Sequence, residues 1–290
     1  MEYKYPIVIA EIGCNHKGNL EIAKKMIKIA KKFCNADIVK FQKRDNKLLL
    51  SETEYNKPHP NENNSYGETY GKHREFLEFN IEQHQILKNY CESIGVIYSC
   101  SVWDINSATD IAMLNPDFIK IPSAQNTNYE MLEFLLNNYH KQIHISFGMT
   151  SIEEIQSIVS FIKQRKRFDD IVPYICTAGY PVKSKDVCLL DINRFKELGF
   201  KKIGFSGHHL GIAIDVAAYT LGAKCIERHF TLDRTWKGTD HAASLEPDGL
   251  RKLKRDLISV WNSLTYKPYG NFLKVEEIQR DKLKFKELKK

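Results

Sequence analysis

A (β/α)8 barrel of the TIM type is the fold this sequence predicts, and three observations carry it. Eight short β-prone apolar runs recur along the chain, a helix-period pattern follows each, and each run stops at polar or ionisable residues. The runs are Ile7–Ala10, Ile38–Phe41, Val96–Ser99, Phe118–Ile121, Ile143–Ser146, Ile171–Cys176, Lys202–Phe205 and Cys225–His229. Helical patterns cover Leu20–Cys34, Ile81–Ile94, Ile105–Leu114, Tyr129–Asn137, Ile152–Lys166, Asp186–Leu198, Ile212–Leu221 and Pro247–Leu264, the last with proline in its first turn. Alternation of this kind builds a parallel sheet, and eight repeats favour closure over an open doubly wound sheet. No dinucleotide-type G-x-G-x-x-G or P-loop is present. The barrel is expected over residues 1–265 and a charged tail over 266–290.

Composition narrows the function class. A chain of 290 residues with 42% hydrophobic content can bury a large core. The net charge of +7 resides in the last forty residues, where 12 Lys or Arg face 5 Asp or Glu. A terminal basic run without an RNA-recognition motif or zinc finger is a solvated helix face, so nucleic acid is set aside as a partner. Seven scattered cysteines with no C-x-x-C pair argue against a disulfide framework and a cysteine zinc site. Residues 1–13, with Glu2, Lys4 and Glu11 around a short apolar run, do not form a signal peptide, and no stretch reaches membrane-spanning length. A reducing, cytoplasmic location without membrane contact is expected.

Active sites of such barrels sit at the C-terminal ends of the strands. Successive strand ends there carry Glu11; Lys40 and Gln42; Ser101 and Trp103; Lys120 and Ser123; Ser146; Thr177 and Tyr180; Ser206 and His208; and Glu227 and His229. In the eighth run, alternation puts Cys225, Glu227 and His229 on one face. Two lysines with four serines suit a phosphate-bearing anion, and burial of an unpaired Lys40 would be costly, so a bound anion is its expected partner; snorkelling, or pairing of Lys40 and Lys120 with carboxylates, is the other reading. His208 and His229 end neighbouring strands and can share a divalent ion; two core histidines bonded to backbone fit the pattern equally well.

Seven colinear motifs then resemble those of sialic acid synthases. They are Ile9-Ala10-Glu11-Ile12-Gly13-Cys14-Asn15-His16-Lys17-Gly18-Asn19-Leu20, Val39-Lys40-Phe41-Gln42, Ile119-Lys120-Ile121-Pro122-Ser123, Ser146-Phe147-Gly148-Met149, Cys176-Thr177-Ala178-Gly179-Tyr180-Pro181, Gly204-Phe205-Ser206-Gly207-His208 and Glu227-Arg228-His229-Phe230-Thr231, spread over residues 6–265. The resemblance implies condensation of phosphoenolpyruvate with an open-chain amino-sugar aldehyde such as N-acetylmannosamine, giving a nine-carbon 2-keto-3-deoxy acid and phosphate. It implies a divalent ion on His208 and His229, typically Mn2+, with Mg2+ or Co2+ as substitutes, acting as a Lewis acid. By motif position, Lys40, Ser101, Lys120, Ser123, Ser146 and Ser206 would cradle phosphoenolpyruvate, while Glu11, Gln42, Tyr180 and Asp240 would face the sugar. A homodimer is the family's habit.

The chain departs from the family pattern in three places. Gln125 stands where members commonly have an acidic catalytic residue, and an amide cannot exchange a proton as a carboxylate does. Ala178 replaces a polar side chain. The family's antifreeze-like C-terminal domain has no counterpart in the sequence after Leu264, either because the sequence is a piece of a longer protein or because the protein belongs to a shorter branch, and the resemblance leaves the acceptor open. Arg44–Asn80, the longest stretch without clear periodicity, reads as a lid or specificity loop in which His59 and His73 are loop residues. Three alternatives stand beside the synthase. One is an octulosonate- or heptulosonate-type synthase acting on a phosphorylated sugar, which needs an arginine cluster that the sequence shows only in the tail. The others are a metal-dependent sugar-phosphate aldolase or epimerase, and a silent binding protein.

Overall fold

Side-chain alternation along eight strands closes this chain on itself. The computed structural model describes residues 5–285 and holds one closed parallel barrel with its strands in chain order. The strands are β1 (Ile7–Gly13), β2 (Ile38–Lys43), β3 (Ile97–Val102), β4 (Phe118–Ile121), β5 (Gln142–Ser146), β6 (Ile171–Ile175), β7 (Gly204–Gly207) and β8 (Cys225–His229). β8 returns to β1 with Ile7 opposite Cys225 and Glu11 opposite His229. The (β/α)8 expectation holds, and β4 and β8 have the expected bounds. β1, β2, β3 and β7 run past theirs because their inward positions turn polar at Glu11, Gln42, Ser101 and Ser206 while the backbone ladder continues.

Inward residues divide into two levels. The lower level is apolar, a cluster of Ile7, Ile9, Ile38, Phe118, Val172, Tyr174 and Cys225 that plugs the barrel. The residues two positions further along the same strands form the polar mouth. Outward residues such as Val8, Val39, Ile119, Ile143 and Ile226 pack instead under the helices. At Gly204 any Cβ would run into the Tyr174 ring, so glycine is needed for β7 to pass the plug.

Helix ends follow local capping chemistry. Asn19 caps Leu20–Lys32, while Asn80 with Gln83 and Ser151 with Glu154 form capping boxes on Ile81–Ile94 and Ile152–Gln164. The helix Pro247–Ser263 is tied to the barrel's lower end by Lys254, whose ammonium donates to Asp37 at 2.6 Å and to the Pro6 carbonyl at 3.0 Å.

Two segments differ from expectation. Arg44–Asn80 holds the short helices Asn46–Leu49, Glu52–Asn56 and Tyr70–Leu77, so His73 is helical rather than a loop residue. These helices are too short for periodicity to register, and they are fixed instead by Asp45, Ser51 and Thr69 caps. Within the expected charged tail, Lys274–Leu283 is a helix with no buried residue. Residues 286–290, and the Glu2 and Lys4 of the first segment, lie outside the described residues.

Candidate active site

Parallel register brings the chemistry together. Glu11 lies beside Lys40 on β2 and His229 on β8; Gln42 lies beside Ser101, Ser101 beside Lys120, and Ser206 beside Glu227. All point into one mouth cavity of about 110 Å³, which Trp103, Ser123, Ser146, Tyr180 and His208 also line.

At its base sit four buried charges. Lys120 Nζ donates to Glu227 Oε1 at 2.7 Å; Lys40 pairs with Glu11, donates to Ser101 Oγ at 2.6 Å and lies 3.8 Å from Glu227. The Lys120 ammonium rests 3.8 Å over the Tyr174 ring, whose face favours a cation. Internal carboxylates thus partner both lysines, and an incoming anion would share the ammonium groups with them. The reason is that β1 and β8 each bring a glutamate to the same level. Glu227 is also the residue that sequence reasoning left without a role, although alternation had put it on the face of His229.

Electrostatics follows from that geometry. Burial alone would raise the Glu227 carboxyl, but the Lys120 and Lys40 ammonium groups outweigh it and hold it down to about 2. Burial lowers Lys120, Glu227 offsets part of this, and the Lys40 charge adds to it; Lys40 itself is raised because Glu11 and Glu227 overcome burial. Lys120 is therefore the more acidic ammonium.

Two imidazoles stand above the quartet with ring centroids 5.5 Å apart. A shared ion about 2.1 Å from one nitrogen of each can span that separation. His208 Nδ1 lies 2.8 Å from the Thr177 carbonyl, and donating there leaves Nε2 as a lone-pair site. Burial, then the His229 charge, lowers His208 to about 4, so it is neutral, as a ligand must be. His229 Nδ1 is buried with no hydrogen-bond partner and lies 3.7 Å from Asp240 Oδ2. Among the described residues no group of three or more His, Cys, Asp or Glu could hold a metal. Two imidazoles fit an open ion site completed by substrate or water, and not a closed structural one.

Other candidates are placed as follows. Gln42 donates to Glu11 at 2.9 Å, Ser206 to Glu227 at 3.1 Å, and Ser123 Oγ accepts from the Gly148 amide at 2.9 Å. Tyr180 covers His208 at 4.4 Å between rings. Three expected side chains do not line the cavity. Gln125 turns to Asn128 at 3.1 Å in a short 3-10 turn, and Thr177 donates to the Asp186 carbonyl at 2.7 Å, serving the site only through its own carbonyl. Asp240 lines a neighbouring cavity beside His229. His209 and His241, read from sequence as ordinary histidines, bond within the fold to Arg228 and Thr231.

The NeuB family model matches residues 26–269. The chain belongs to the NeuB family. Within and around that family it is 39% identical over 259 residues to the N-acetylneuraminate-9-phosphate synthase of Homo sapiens, covering 89% of this chain and 70% of that protein. It is 33% identical over 251 residues to the N,N'-diacetyllegionaminic acid synthase of Campylobacter jejuni, covering 86% and 75%. The N-acetylneuraminic acid (sialic acid) synthetase of Leptospira borgpetersenii, solved with citrate, superposes with a TM-score of 0.80 at 26% identity over 98% of this chain and 94% of that one.

The buried quartet yields a stability test. Lys120→Met strands a carboxylate and Glu227→Gln strands an ammonium, each at about 3 kcal/mol, whereas the double variant removes both charges and costs less than the sum by about 2 kcal/mol. Urea unfolding of the four proteins measures the coupling; additive costs would show that the pair does not interact.

Proposed function

We propose that this protein condenses phosphoenolpyruvate with the open-chain aldehyde of an N-acylated amino sugar, giving a nonulosonic 2-keto-3-deoxy acid and phosphate. It is a transferase of the sialic acid synthase kind, as family membership and the relatives' names support. The observation that carries this assignment is one mouth in which two ammonium groups, serine hydroxyls and two imidazoles surround a single cavity. The relatives' names divide on one point: the human enzyme's product bears a 9-phosphate and the Campylobacter product's name carries none.

Each residue's part follows from its position. Lys40, Lys120, Ser101, Ser123, Ser146 and Ser206 receive the phosphate and carboxylate of phosphoenolpyruvate through charge-assisted hydrogen bonds. Glu11, held by Gln42 and adjacent in register to His229, faces the sugar hydroxyls and the proton transfers at the aldehyde end. C3 of phosphoenolpyruvate bonds to the aldehyde carbon, whose oxygen takes up a proton. Water adds at C2 with loss of a proton, and cleavage of the C2–O bond releases phosphate and leaves the ketone. Lys120, the more acidic ammonium, stands to protonate the departing phosphate.

His208 and His229 would hold the divalent ion, Mn2+ foremost. When bound, it supplies Lewis-acid polarisation of the aldehyde oxygen. Charge balance supports such an ion, because two lysines facing two glutamates leave nothing over to offset a phosphate and a carboxylate. No helix among the described residues is long and apolar enough to cross a membrane. A cytoplasmic location belongs to the same proposal, and seven scattered cysteines with no C-x-x-C pair support it. So does a homodimer, supported by the uncovered apolar residues Val275, Ile278 and Leu283.

Incubation with Mn2+, phosphoenolpyruvate and amino sugars should release phosphate in step with a 2-keto acid of the summed carbon count, seen by mass spectrometry. Phosphate without that acid, or neither with any acceptor, contradicts the assignment. His229→Ala should weaken Mn2+ binding by at least about tenfold in calorimetry; unchanged affinity would take His229 out of the ligand set.

A further inference from the structure

Each histidine of the mouth has a chain neighbour that the chemistry there does not use. His208 is followed by His209, and His229 is preceded by Arg228, which strand alternation turns out of the barrel. Both neighbours meet Asp215, in the first turn of the helix Ala213–Thr220. The three side chains are 1% exposed or less, so an ionic and hydrogen-bonded cluster is fully buried behind the mouth, between β7, β8 and that helix.

Arg228 gathers the loop that follows β7. Its Nη1 donates to Asp215 Oδ2 at 2.5 Å and to the Gly211 carbonyl at 2.8 Å, and its Nη2 donates to the His209 carbonyl at 2.6 Å. His209 Nε2 lies 3.2 Å from the same Asp215 oxygen. Gly207 stands opposite Arg228 in the β7–β8 register, and a Cβ there would come within 3.0 Å of Arg228 Cδ and Asp215 Oδ1 and within 2.8 Å of the His209 ring. Glycine is what lets the guanidinium approach. Ile212 offers no side-chain cap to the helix, and the loop leading into it is tied down through its carbonyls instead.

His208 is thus held from two sides. Toward β6, its Nδ1 lies 2.8 Å from the Thr177 carbonyl and its own carbonyl accepts from the Val182 N–H at 2.9 Å. Toward β8, the guanidinium that grips the next residue's carbonyl belongs to the residue just before His229. One side chain therefore joins the two chain segments that present the imidazoles.

We propose that Arg228, with Asp215 fixing its guanidinium, is a positioning residue that sets the separation of His208 and His229 and through it the affinity of the ion site. The inference rests on the ion site proposed above and names what keeps its two ligands in place. Arg228 reaches neither ion nor substrate. A planar fork of five donors can serve two carbonyls and a carboxylate together, which a lysine ammonium on a flexible stem does not match. Groups that orient metal ligands from behind carry about 10- to 100-fold in affinity.

Calorimetric titration of Mn2+, and separately of phosphoenolpyruvate without metal, tests this. Arg228→Lys keeps a cation beside Asp215 and should fold, yet bind Mn2+ at least about fivefold more weakly, with broadened electron paramagnetic resonance lines of the bound ion. Arg228→Met combined with Asp215→Leu removes both charges and should bind Mn2+ at least about tenfold more weakly. In both, phosphoenolpyruvate affinity should stay within about twofold, because the lysine seat is on other strands. Lys254→Met, which deprives Asp37 of its ion pair at the opposite end of the barrel, should lower stability to urea and leave Mn2+ binding unchanged. Unchanged Mn2+ affinity in the Arg228 variants would overturn the inference. A parallel loss of phosphoenolpyruvate affinity, or an equal loss of Mn2+ affinity in Lys254→Met, would overturn it as well by marking general damage. His229→Ala separates the two proposals. Mn2+ affinity lost in that variant and kept in the Arg228 variants removes the positioning role and leaves the ion site. A wild type that binds no Mn2+, or binding untouched by His229→Ala, removes both.

Discussion

Four buried charges at the base of the barrel mouth constrain everything above them. Lys40, Lys120, Glu11 and Glu227 are each nearly solvent-free, and a lone charge there would cost several kcal/mol, so each is tolerable only because an opposite charge lies on a neighbouring or facing strand. The strand register supplies those partners without any loop having to close. Polar inward positions follow apolar ones by two residues on the same strands, so one alternation that builds the plug also delivers the charges.

The quartet also shapes how a ligand can enter. A phosphorylated enol must share the ammonium groups with carboxylates already bound to them, so its negative charge has to be offset from elsewhere in the mouth. In the proposed reaction the two imidazoles would hold the cation that does so. His208 is held neutral by burial and oriented by the Thr177 carbonyl, while His229 keeps a buried nitrogen without a partner. On the side toward Asp240 a second cavity, lined by Arg44 and Arg74 among others, adjoins the mouth.

Much of this was legible in the residues. The eight apolar runs fixed the strand order, and their last polar residues named most of the mouth. Alternation in Cys225–His229 marked Glu227 as sharing the face of His229, but nothing in one strand could show that Lys120 would reach it from β4, because that contact spans 107 positions. Gln125 and Thr177 were misplaced since a residue just past a strand end is free to turn, and both turned to local partners. Arg44 and Arg74 were invisible as a pair: short capped helices carry no period, so the fold alone brings them together.

The central claim is that the buried lysines form the seat for phosphoenolpyruvate. Calorimetric titration of phosphoenolpyruvate into the wild-type protein and into Lys120→Ala tests it most directly. The account predicts saturable binding in the wild type and at least about tenfold weaker binding in the variant, with its fold verified by circular dichroism. Equal affinity in both proteins would contradict it.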